Sequence, residues 1–238
     1  MRFICFIAAV FISSLVFSQK EKPKNYRKFD EKWLHFGFML GINTSNFKVT
    51  PKVDAYSQYG LKSVVSNRTP GGQVGIVTSL KLGTPVVRLR FIPTLSFQEK
   101  VLNYSFVNPD PAAKTDKLLE ERVNSTNLDF PLMFQFRTMR LNNFTAYALG
   151  GAQYSYDLQS QEDASQSFID PFIKIKANDW QGQVGAGLEW FAVYFKFSFE
   201  VKYSFGVDNV FIQDGTNVSK PIDQLRNRAV WFSIIFEG

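Results

Sequence analysis

Polarity alternates with a period of two along much of the chain. The clearest stretch lies toward its end, where Phe195, Phe197, Phe199, Val201, Tyr203 and Phe205 are interleaved with Lys196, Ser198, Glu200, Lys202, Ser204 and Gly206. Successive side chains of a strand point to opposite faces, so this pattern makes one face greasy and the other polar. Residues 34–43, 73–82, 87–97 across Pro93, 127–137, 183–190 and 230–237 repeat it, and 147–156 fits it with small residues on both faces. The pattern predicts eight strands.

The links between the segments alternate as well. Short ones fall at 83–85, 140–143 and about 191–193, and long ones near 48–71, 103–122, 159–179 and 208–228. Short periplasmic turns, long extracellular loops and an even strand number describe a transmembrane barrel. The fold class expected is all-β: an eight-stranded antiparallel transmembrane β-barrel over residues 33–238, with both of its ends on the periplasmic side. A barrel of this size is filled by its own side chains and is not a diffusion pore. Arg88, Arg90, Asp129, Arg137, Glu189, Lys196, Glu200 and Lys202, with Lys81, fall on the polar face and form the expected interior charge network. Mixed signs allow pairing there, whereas charges on the lipid face are costly.

Composition sharpens the picture at one point: 25 Phe, 9 Tyr and 4 Trp are distributed among polar residues rather than in apolar blocks. Trp33, Tyr154, Tyr156, Trp180, Trp190, Tyr194 and Tyr203 gather near strand ends, as interfacial girdles do. Alternation alone leaves open a soluble lipocalin-like carrier, in which the polar faces would point outward. The aromatic distribution favours lipid, as does a last strand, 231–236, that is similar to the terminal insertion signal of outer-membrane proteins. The net charge of +6 is scattered rather than gathered in a stripe, so no nucleic-acid partner is expected.

Residues 1–18 read as a secretory signal, with Arg2, an apolar stretch from Phe3 to Phe17, and cleavage between Ser18 and Gln19. Residues 19–32 then form a basic periplasmic tail. The single cysteine, Cys5, leaves with the signal, so the mature chain is expected to lack disulfides and thiol ligands. His35 is the single histidine, which removes histidine-based triads and multi-histidine metal sites. Glu120, Glu121, Asp163, Asp170 and Asp179 lack the spacing of a calcium loop. Gly182, Gly185 and Gly187 precede no helix, and close packing in a narrow barrel accounts for them better than a phosphate loop. No catalytic residue, cofactor, metal or small-molecule substrate is expected.

Two motifs carry a family resemblance. Residues 28–43, from Lys28-Phe29-Asp30-Glu31-Lys32-Trp33 through Phe36, Phe38 and Leu40 to Asn43, resemble the opening of the PorT (SprT) family. Asn127-Leu128-Asp129-Phe130-Pro131-Leu132 resembles a strand motif of the wider barrel superfamily, common among Bacteroidota barrels. The resemblance implies an outer-membrane component of the type IX secretion system, supporting cargo export and, where present, gliding motility. It implies other secretion-system or outer-membrane proteins, with lipid, as partners. The other readings of the chain are a generic small barrel for adhesion or envelope integrity, and the carrier.

Overall fold

The computed structural model describes residues 24–26, 29–108, 116–162 and 172–238. The signal 1–18, its cleavage pair Ser18 and Gln19, and residues 19–23 of the tail lie outside them, as do Asp163 and Asp170. In chain order the elements are β1 (Leu34–Pro51), α1 (Ala55–Tyr59), β2 (Leu61–Lys81), β3 (Val87–Phe91), β4 (Thr94–Phe106), β5 (Lys117–Arg137), β6 (Phe144–Asp157), β7 (Lys174–Ile175), β8 (Asn178–Phe191), β9 (Lys196–Gly206), β10 (Phe211–Ile212) and β11 (Ile222–Glu237).

Nine of the strands form one antiparallel sheet, and β1 pairs with both β2 and β11, which closes it. β3 and β4 share one place in the ring: each pairs with β2 on one side and β5 on the other, so nine strands make eight staves. The break between them has a chemical cause. Register pairs Phe91 with Leu132 and Thr94 with Asp129, so Ile92 and Pro93 face Phe130 and Pro131. Two prolines on adjacent strands withdraw two ladder donors. Parity survives the break, because Phe91 and Phe97 both stay exposed while Arg90, Ile92 and Ser96 are buried.

The wall is apolar outside and polar inside. Phe36, Phe38, Leu40 and Ile42 of β1 are exposed, as are Phe130, Leu132, Phe134 and Phe136 of β5, whereas His35, Asn43, Gln135, Arg137, Glu189 and Lys196 are buried. This polarity excludes the soluble carrier, whose greasy face would be the inner one.

The hairpins at the far end are longer than the alternation predicts. Strands extend into 48–71, 103–122 and 208–228, which the alternation reads as loops: β1 runs to Pro51, β2 starts at Leu61, β4 ends at Phe106, β5 starts at Lys117 and β11 starts at Ile222. Above the lipid the outer face meets water, so polarity stops alternating while the ladder continues. The two-residue strands β7 and β10 pair with each other there. Leu61, Leu102, Tyr104, Ile175, Phe211, Ile222 and Leu225 belong to one apolar cluster that covers this end of the ring.

Candidate functional site

Inside the ring, the side chains of neighbouring strands meet because every second residue points inward. Lys196 stands directly opposite Glu237 across β9 and β11 and diagonal to Glu189 across β9 and β8. It pairs with both, at 2.7 Å from Glu189. Arg137 Nε donates to the second Glu189 oxygen at 2.7 Å, and Gln135 donates to the first at 2.9 Å. One step further in, Arg90 Nη1 and the Tyr147 hydroxyl donate to the same Glu200 oxygen at 2.6 and 2.7 Å, and the Lys202 ammonium lies 3.3 Å from its other oxygen. Each of these charges is buried. Removing an ion from water costs several kcal/mol, and pairing with hydrogen bonds offsets it.

Asp129 has a different environment. Its carboxylate accepts from Ser96 Oγ at 2.7 Å, Gln153 Nε2 at 2.9 Å and Ser155 Oγ at 2.5 Å, so hydrogen bonds from β4 and β6 hold it rather than an ion pair. An apolar layer of Met39, Val77, Ile92 and Ile235 also crosses the lumen. Lys81 is not in the interior: it sits at the rim, half-exposed, with Nζ donating to the Asp30 and Glu31 carbonyls at 2.9 and 3.1 Å. Gly185 and Gly187 do face inward, where an added Cβ would strike the Val201 carbonyl and the Tyr147 ring; Gly182 faces outward, under the ring of Phe205.

The tail belongs to this site, which alternation could not show. Phe29 is fully buried, stacked on His35 at 3.7 Å between ring centroids and edge-on to Phe191 at 5.5 Å. The Arg88 guanidinium and the Lys196 ammonium lie 4.9 and 4.7 Å from the centre of its ring. The Asp30 carboxylate faces Arg137, Arg140 and Arg88 at 3.3, 3.6 and 3.8 Å. Asn25 binds the side chain of Asn143 through its backbone N–H at 2.7 Å and the Phe191 carbonyl through its amide at 3.3 Å. β6, which Asn143 precedes, is four staves from β1 in either direction. The tail therefore crosses the turn-side mouth from one wall to the other. The sequence signal for this is Phe29-Asp30, an apolar residue and an acid within a basic tract.

With the apolar cluster at one end and the tail at the other, the arrangement can seal, brace and present surfaces. His35 is covered by an aromatic ring, with no nucleophile hydrogen-bonded to it among the described residues. Among those residues no group of three or more His, Cys, Asp or Glu could hold a metal ion.

Solved structures similar to the chain include OprG of Pseudomonas aeruginosa, at 13% identity and a TM-score of 0.44 over 86% of this chain and 94% of that one. Neisserial surface protein A is another, at 8% identity and a TM-score of 0.40 over 84% and 95%. No curated protein matches the sequence. The family described as "Outer membrane protein beta-barrel domain" matches residues 17–212, in agreement with the closed ring and its greasy outer wall. The chain thus belongs to that family and is an outer-membrane barrel.

Proposed function

We propose that this barrel supports protein export through the type IX secretion system, and gliding motility where that occurs, as a structural or assembly factor without catalytic activity of its own. The likeness of residues 28–43 to the opening of the PorT family supports the assignment to that machine. The observation that carries the manner of action is the filled lumen: Arg88, Arg90, Glu189, Lys196 and Glu200 are each 2% exposed or less. A lumen packed to this degree passes no cargo, so the barrel acts through its outer wall, its far-end hairpins and its tail, on other secretion-system or outer-membrane proteins. Deletion of the gene tests the reading. Loss of cargo export with unchanged resistance to detergents and large antibiotics is the expected result; intact export with a leaky envelope refutes it and favours a generic barrel for envelope integrity.

A further inference from the structure

The outward face of the barrel carries cations that no carboxylate answers among the described residues. Lys48 on β1 stands directly opposite Arg226 on β11, and Arg228, two residues further along, stands opposite Asn46. All three are on the outward parity: Leu225, Asn227 and Ala229 of β11 are buried, while Arg226 and Arg228 are partly exposed and Lys48 is exposed. The Arg226 guanidinium reaches the Gln224 side-chain oxygen at 3.4 Å, and among the described residues none of the three makes an ion pair. Like charges opposite one another on a sheet face destabilise it. An anion held between them removes that cost.

Their height on the wall and the surface beneath them identify the anion. Arg228 pairs on its other side with Phe205 of β9, whose ring covers Gly182 beside Trp180, and the Trp180 ring lies 5.2 Å from that of Tyr154. Such an aromatic belt marks the headgroup level, here on the side away from the short turns. On the same three strands, a groove of about 530 Å³ is lined by Leu40, Ile42, Phe199, Val201, Phe232 and Ile234. Its upper pair, Ile42 and Phe232, is four residues from Arg228, about 13 Å along the strand at the usual rise.

We propose that Lys48, Arg226 and Arg228 bind the phosphate of one outer-leaflet lipid, with an acyl chain of the same molecule lying in this groove. Guanidinium groups match phosphate oxygens in fork geometry, and the lysine adds a point charge. Native mass spectrometry of the detergent-solubilised barrel tests it, with lipid A and with lipid A stripped of its phosphates as probes. The expected result is at least tenfold better retention of the phosphorylated form, and loss of that preference in Lys48→Gln/Arg226→Gln/Arg228→Gln. Equal retention of the two forms by the unaltered barrel overturns the phosphate site, as does an undiminished preference in the triple variant. A boiling-induced gel shift verifies that the variant is folded, and Arg226→Gln alone replaces it if the shift is lost. Ile42→Trp fills the groove and weakens both lipids alike; unchanged retention there overturns the acyl seat.

Discussion

Replacing Glu200 by Gln keeps the shape of the side chain and removes the charge on which three buried groups converge. Arg90 at 2.6 Å, Tyr147 at 2.7 Å and Lys202 at 3.3 Å lose their shared anion, and Gln presents one acceptor oxygen where the carboxylate presents two. Arg90 and Lys202 then remain buried in the lumen with no opposite charge in contact. Breaking a buried pair by removing one partner costs about 3–5 kcal/mol. At roughly 2 kcal/mol per molar urea, the midpoint of unfolding from lipid vesicles falls by about 1.5–2.5 M. The transition can be followed by tryptophan fluorescence and by the folded band on unboiled gels. Adding Arg90→Met to Glu200→Gln removes one of the stranded cations and should recover part of the loss, giving a coupling energy above about 1 kcal/mol in the double-mutant cycle. A single-variant loss below about 1 kcal/mol, or purely additive effects, would refute the view that this lumen is braced by mutually dependent ions.

Three further outcomes follow from the same geometry. Asp129→Asn, at a carboxylate held by two hydroxyls and an amide, should cost less than Glu200→Gln, about 1–3 kcal/mol in the same urea titration. Phe29→Ala/Asp30→Asn should free the tail, so that trypsin cleaves between residues 24 and 32 in the variant while the unaltered protein is cut more slowly; equal cleavage rates would mean that the tail is not docked. The Tyr104 hydroxyl is buried in the far-end cluster with no hydrogen-bond partner among the described residues, so Tyr104→Phe should be neutral or stabilising. Burial also holds the Tyr104 phenol well above its usual value. The unfolded chain therefore releases that proton first, and the fold loses stability as pH rises through about 10; Tyr104→Phe should remove that part of the alkaline sensitivity in melts between pH 8 and 11.

The staves, their parity and the three tight turns were legible because one face of each strand meets lipid and the other a polar lumen, which writes a period of two into the residues. Where that contrast ends, so does legibility. The hairpin extensions 48–51 and 61–71 are ladder-paired yet mix polar and apolar residues on both faces, and read as loop. Parity also fixes a face without fixing a height. Glu189, Lys196 and Glu200 share the inner face by alternation alone, but only the stagger between strands sets Lys196 against Glu237 and Arg90 against Glu200. Glu237, at the end of the last strand, is visible as an ion-pair partner only once that register is known.

The tail's role follows from where its partners originate. Phe29 touches His35 of β1, Arg88 of β3, Phe191 of β8 and Lys196 of β9, four staves distributed around the ring. Phe191 and Lys196 are already neighbours across β8 and β9, but His35 and Arg88 join them only when the sheet closes, so the complete site for the tail exists in the finished barrel. Asp30 then supplies a counter-charge that the mouth otherwise lacks, for Arg88, Arg137, Arg140 and Lys196 converge there on Glu189, Glu237 and Asp30. Docking is thus coupled to closure by both burial and charge. Asn25 is thereby held at the β6–β8 side of the mouth, opposite the start of β1, which gives any partner on that side of the membrane a fixed point of contact on a completed barrel.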